Sequence, residues 1–83
     1  MIEAYVLVRV QPARLEEASN LMQSIKDKIK TTKGVKEIKG VFGRYDFVVL
    51  ANTETLQELG NLVTSLVRNI KGVSETETLV VGF

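Results

Sequence analysis

The side chains best placed for chemistry fall in two short segments. Gly43-Arg44-Tyr45-Asp46 is the densest polar run, with Val41 just ahead of it. Thr76 and Thr78 alternate around Glu77 near the C-terminus. A carboxylate such as Asp46 can hold an ammonium, and backbone N–H groups beside a glycine can hold a carboxylate. Two hydroxyls at i and i+2 of a strand share one side and add further polar contacts. That set suits a small zwitterion such as a free amino acid. Each part also has a purely structural reading. Gly43 fits a left-handed turn position, Asp46 can bond the turn backbone, and threonine is common in strands.

The chain has 83 residues, no histidine and no cysteine, so disulfides, thiolate nucleophiles and Cys/His zinc sites are excluded. The commonest proton shuttle at neutral pH is missing too. The paired carboxylates Glu16/Glu17 and Glu75/Glu77 come with no base, nucleophile or metal partner. No phosphate-binding glycine loop occurs. The sequence therefore predicts no catalytic residue, no metal and no cofactor.

Lys26, Lys28, Lys30, Lys33, Lys36 and Lys39 make a basic segment, but Asp27 and Glu37 interrupt it. A solvated face explains it better than phosphate contact. Formal charge is only +1, too little for a non-specific nucleic-acid binder. Lys39-Gly40-Val41-Phe42-Gly43 is a shadow of an RNA-recognition motif, with Val41 where a stacking aromatic belongs. The longest apolar runs, such as Phe47–Ala51, fall far short of the roughly 20 residues of a membrane span. Met1-Ile2-Glu3-Ala4-Tyr5 lacks the basic start and apolar stretch of a signal peptide. The default compartment is the cytoplasm.

Periodicity supplies the elements that position these residues. Ile2–Val10 alternates, with Ile2, Ala4, Val6, Val8 and Val10 on one face, which predicts a strand. Tyr5 and Leu7 make its other face more apolar than solvent requires. Pro12 suits the first turn of a helix whose stripe is Leu15, Ala18, Leu21 or Met22, Ile25 and Ile29. Glu16 and Glu17 near its start and the lysines near its end complement the helix dipole. Gly34 is a candidate C-terminal cap. Val35–Phe42 predicts a second strand, charged as edge strands are. Gly43-Arg44 turns into a third strand over Tyr45–Asn52, whose Phe47–Ala51 run suits a central place. Thr53 is the expected cap of a second helix with the stripe Leu56, Leu59, Leu62, Val63, Leu66, Val67 and Ile70. Val73–Phe83 predicts the last strand.

The order is β-α-β-β-α-β, and the halves echo each other. Leu15-x-x-x-x-Asn20-Leu21 matches Leu56-x-x-x-x-Asn61-Leu62, and Lys33-Gly34-Val35 matches Lys71-Gly72-Val73. This predicts one α+β, ferredoxin-like domain over residues 1–83. Right-handed crossovers place two helices on one face of a four-stranded antiparallel sheet, with the first and third strands central. A domain this small buries only about 60% of its unfolded surface. Yet 45% of its residues are hydrophobic. Leu7, Tyr5 and half of the third strand lie on the sheet face without helices. Dimerisation through that open face is the simplest way to cover them.

Two motifs in this order resemble a known family. Val41-x-Gly43-x-Tyr45-Asp46-Phe47-Val48-Val49 is followed by Ile70-x-Gly72-Val73-x-x-Thr76-x-Thr78-x-Val80. The chain resembles the effector-binding (RAM) domain of Lrp/AsnC transcription regulators, from Ile2 to Val81. Those regulators begin with a helix-turn-helix, whereas Met1 opens directly on the first strand. The resemblance is therefore to the stand-alone members. It implies a non-enzymatic module that binds amino acids or similar small effectors. It implies homodimers through facing sheets, higher octamer-like rings, effectors bound between dimers, and co-assembly with full-length regulators. By position, Gly43, Arg44, Tyr45 and Asp46 match the family's ligand loop, and Thr76 and Thr78 its last-strand contacts; Val41 heads the same motif. Arg44 fills a variable position. Two rivals share the topology. A dimeric α/β-barrel oxygenase or isomerase commonly uses a histidine, which is absent. An ACT-like regulatory domain has its ligand glycine near the first strand–helix junction, where Gln11-Pro12-Ala13 stands.

Overall fold

Strand β1 (Ile2–Val10) shows the alternation that its residue types demand. Ala4, Val6, Val8 and Val10 are buried, Glu3, Tyr5 and Arg9 are exposed, and Leu7 is half-buried. The structure, a computed structural model, describes residues 1–11 and 18–83, and the side chains of all of these except residues 18–20. Expectations for Pro12, Leu15, Glu16, Glu17 and the Ala18 side chain lie outside that description. The elements after β1 are α1 (Ala18–Lys30), β2 (Val35–Gly40), β3 (Phe47–Thr53), α2 (Leu56–Asn69) and β4 (Val73–Val80). The sheet order is β2-β3-β1-β4, antiparallel throughout, so β1 and β3 are central. This is the ferredoxin-like arrangement.

Ile25 and Ile29 of α1 join Leu59, Leu62, Leu66 and Ile70 in one core with the inward residues of β1 and β3. Both helices therefore cover the same sheet face. On β3, Phe47, Val49, Ala51 and Thr53 point into that core, while Val48, Leu50 and Asn52 lie half-buried on the opposite side. Edge strand β2 buries only Ile38 fully, and its Lys36, Glu37 and Lys39 are exposed. Charge at an edge hinders unwanted pairing.

Four sequence expectations need correction. The β2–β3 hairpin is longer than the apolar pattern suggested: β2 ends at Gly40, not Phe42, and β3 starts at Phe47, not Tyr45. Phe42 is fully exposed, and the loop closes through Val41 N–H to the Asp46 carbonyl at 2.9 Å. β4 stops at Val80 rather than Phe83, although Val81 N–H still bonds the Glu3 carbonyl at 2.8 Å. The helix cap is Thr55, not Thr53. Thr53 remains paired with Ile2 and donates its hydroxyl to the Thr55 carbonyl at 3.0 Å. Thr55 Oγ1 instead accepts from Glu58 N–H at 3.1 Å, and the Glu58 carboxylate reaches back to Glu54 N–H at 2.9 Å. One orphan donor of the first turn, Glu58 N–H, is thereby satisfied, together with the Glu54 N–H just ahead of the cap. Finally, the α2 stripe is narrower than drawn, because Leu56 and Val67 are 63% and 49% exposed.

The internal repeat has a packing cause. Gly34 (φ +97) immediately precedes β2, and a Cβ there would stand 2.7 Å from Leu62 Cδ1 of α2. Gly72 (φ +104) immediately precedes β4, and its Cβ would stand 3.0 Å from Ile25 Cδ1 of α1. Each Lys-Gly-Val step lets a strand begin beneath the other half's helix. Gly34 thus lies beyond the end of α1 and serves this close approach instead of capping the helix.

Candidate functional site

Asp46 closes the β2–β3 hairpin onto the central sheet. Its backbone N–H donates to the Val8 carbonyl at 2.8 Å, and its Oδ2 accepts from Val10 N–H at 2.8 Å. The carboxylate therefore serves the end of β1, not the turn backbone. Among the described residues this is the one hydrogen bond to its carboxylate, which has acceptor capacity for more. Gly43 has φ +138, and a Cβ there would touch nothing. Backbone conformation, not crowding, favours glycine at the tip.

Tyr45 leaves the hairpin in another direction. Its hydroxyl donates to Glu77 Oε1 on β4 at 2.7 Å, spanning β1. That bond to a carboxylate, then desolvation and the Glu77 charge, raise the Tyr45 pKa above its ordinary value. Glu77 pairs with Leu7, and Glu75 pairs with Arg9 and lies 3.7 Å from its guanidinium. This polar group sits on the open sheet face.

Thr76 and Thr78 are opposite Val8 and Val6, whose side chains face the helices. The two threonines are half-buried on that face at the β4 edge. They share a strand with Glu77 but not a side of the sheet. The structure thus divides the sequence candidates between two faces.

A hollow of about 410 Å³ opens between α1 and the hairpin. Val41 and Asp46 line it, together with Met22, Gln23, Lys26 and Phe42. Gly43, Arg44, Tyr45, Thr76 and Thr78 are not on its wall. The volume lies in the range of small-molecule sites. In the sequence Lys26 belongs only to a solvated face, and nothing there singles out Gln23. Their three-residue spacing beside Met22 places them on one flank, but only the fold brings that flank to Asp46.

A larger hollow of about 560 Å³ lies at the other end of the sheet, beside Gly34 and Leu62. Several of its polar groups hold helix ends and turns, while Asn52 Oδ1 is buried with no hydrogen-bond partner among the described residues. Glu58 accepts from Glu54 N–H, Thr53 donates to Thr55, and Thr32 donates to the Lys28 carbonyl. The smaller hollow, with the Asp46 carboxylate at its wall, is the better candidate site. Among the described residues no cluster of three or more acidic side chains could hold a metal, and no helix is long and apolar enough to cross a membrane.

Four antiparallel strands under two helices, with a ligand-sized hollow at the central hairpin, define a ferredoxin-like module. The chain belongs to the Lrp/AsnC ligand binding domain family, whose model matches residues 3–82. An uncharacterized HTH-type transcriptional regulator of Pyrococcus furiosus is 30% identical over 93% of this chain and 49% of its own length. The chain thus spans about half the length of that curated relative. The crystal structure of TTHA0845 from Thermus thermophilus is 32% identical, covers 100% of this chain and 95% of its own, and has a TM-score of 0.83. The transcriptional regulator NMB0573 of Neisseria meningitidis, crystallised as a complex with L-Met, is 13% identical. It covers 99% of this chain and 50% of its own, and its TM-score of 0.80 shows a shared fold. The family is that of regulator ligand-binding domains.

Proposed function

We propose that this chain is a non-enzymatic amino-acid-binding and oligomerisation module of the Lrp/AsnC regulators, acting in the cytoplasm. The observation that carries the reading is Asp46. Its carboxylate lines a ligand-sized hollow, is fixed by Val10 N–H, and has acceptor sites unused by the described residues. In this reading Asp46 pairs with the ligand ammonium. Lys26, backbone groups near Gly43, and the Thr76 and Thr78 hydroxyls of an adjoining copy take the carboxylate. Val41 packs the ligand side chain, while Arg44 and Tyr45 shape the loop. The L-Met complex of the Neisseria regulator supports the ligand class.

The chain pairs with a second copy through its open sheet face and builds a higher, octamer-like ring. It modulates full-length Lrp/AsnC regulators by entering their assemblies. It makes no direct contact with nucleic acid or membrane.

Titration calorimetry with the twenty amino acids tests the site. At least one binds the wild type. Asp46→Asn keeps an acceptor for Val10 N–H and removes the charge, so affinity falls by about 10–100-fold, as the loss of a charge-assisted bond implies. Equal affinity in the variant rejects the Asp46 role, and no binding by the wild type rejects the ligand class.

A further inference from the structure

The outer edge of β4 carries an unused pairing code. Val81 N–H bonds the Glu3 carbonyl at 2.8 Å, so Glu3/Val81 is a hydrogen-bonded pair. Such pairs alternate along an antiparallel ladder, which makes Tyr5/Leu79 and Leu7/Glu77 bonded pairs as well. The backbone groups of Thr76, Thr78 and Val80 therefore point away from β1, with no strand of the described residues beyond them.

Glu75 and Glu77 guard the first half of this edge, but Thr78-Leu79-Val80 carries no charge. A second copy pairing antiparallel about a two-fold axis has few registers open. Centred on Glu75 or Glu77, a glutamate meets itself. Centred on Thr76, Glu75 meets Glu77. Like charges directly opposite each other destabilise a pair. Centred on Thr78, no two glutamates meet: Glu77 faces Leu79, Thr76 faces Val80, and Glu75 faces Val81. Among the registers free of that repulsion, this one overlaps the most of β4.

Helix α2 points to the same register. Glu58, Asn61 and Ser65 line the hollow beside Thr32 and Gly34, so that flank of α2 faces the end of α1 and β2. Leu56, Gly60, Val63 and Val67 lie on the other flank at 3.6 residues per turn, towards β4. Leu56 and Val67 are exposed and apolar there. Gly60 is a poor helix-interior residue, and a Cβ on it would meet nothing within 4 Å of this chain. Nothing inside the protomer calls for glycine. Counted from the end of the sheet where Val80 lies, Gly60 stands about 6 Å along the helix and Thr78 about 7 Å along the strand. A two-fold axis at Thr78 keeps both sheets continuous and both α2 helices on one side. It sets the two Leu56-Gly60-Val63-Val67 flanks face to face, with glycine where the backbones come nearest.

We propose that a second copy of this chain docks on the β4 edge, centred on Thr78, with α2 packing on α2 across Gly60. This seam is separate from the open-face pair. It engages the Thr78 backbone and leaves the threonine hydroxyls on the helix side.

The chain has no cysteine, so single cysteines report the register cleanly. Thr78→Cys places two sulfurs across a bonded pair, whose Cα atoms are about 5.5 Å apart and within disulfide reach. Mild oxidation then gives a covalent dimer on a non-reducing gel. Glu75→Cys places its copies six positions apart, about 20 Å, and gives none. Gly60→Glu keeps the far-ultraviolet circular dichroism and lowers the particle mass in sedimentation to that of the open-face pair. In a Leu50→Lys background, which disrupts the open-face pair, the Thr78→Cys bridge still forms. A bridge from Glu75→Cys as strong as that from Thr78→Cys, no bridge at Thr78→Cys, its loss in the Leu50→Lys background, or an unchanged mass for a folded Gly60→Glu overturns the seam.

Discussion

Tyr45 and Asp46 are neighbours in sequence and serve different parts of the fold. Asp46 turns to Val10 N–H and the hollow beside α1, while Tyr45 reaches across β1 to Glu77 on the open face. The Tyr45 bond has a titration consequence. A phenol that donates to a carboxylate is held in its protonated form, so its pKa rises. The folded-state pKa is thus above the unfolded one. The stability it contributes is fully present at neutral pH and is lost as pH climbs past the ordinary tyrosine range through the raised value. Near-ultraviolet absorbance titration should show one of the two tyrosines ionising late. Glu77→Gln should bring that tyrosine back towards its ordinary value, and an unchanged late transition would mean that another cause holds it. The sequence displayed Asp46 and Tyr45 as one polar cluster, because spacing along a chain carries no direction in space. Asp46's partner lies 36 residues away, beyond the reach of any local pattern. The face on which Thr76 and Thr78 sit, by contrast, follows from strict alternation with Val6 and Val8 across the ladder.

At the scale of elements, patterns with strong periodicity were legible and their ends were not. The alternation of Ile2–Val10 and the stripe through Leu59, Leu62 and Leu66 each name an element and its inward side. The ends depend on hydrogen bonds that no stripe encodes. Thr53 and Thr55 are both plausible caps by type. Only pairing with Ile2 keeps Thr53 in β3 and passes the cap to Thr55. Likewise Val41 and Phe42 continue an apolar run, but the hairpin turns before them and leaves both exposed. The cap assignment has a measurable consequence. Thr55→Ala removes the acceptor for Glu58 N–H and should lower stability by about 1 kcal/mol in chemical denaturation, with an unchanged slope. A neutral outcome would return the capping role to Thr53. The glycine steps were legible as a repeat, yet their reason was not. That Gly34 lies under Leu62 and Gly72 under Ile25 is a property of two helices crossing between halves.

For the whole molecule the governing fact is a sheet with helices on one side only. Tyr5, Leu7, Val48, Leu50 and Leu79 share the uncovered side. Tyr5 is 43% and Leu79 47% exposed. A small domain has little core to spare for such a surface, and contiguous apolar area on a sheet is ordinarily covered. Two copies stacked face to face at about 10 Å would cover it and leave the helices outward. Arg9, Glu75, Tyr45 and Glu77 then form a polar rim at one end of the face. Leu50 sits near its middle, on a central strand opposite Tyr5. It is only half-buried within the protomer, so a lysine there can keep its ammonium in water while the protomer folds. In the stacked pair the same ammonium would be buried without a partner, at a cost of several kcal/mol per copy. Leu50→Lys should therefore retain the far-ultraviolet circular dichroism of the wild type and lose the face-to-face contact in sedimentation equilibrium, with the dissociation constant raised at least about 100-fold. Should the variant keep the full assembly, the open face is not where the copies meet.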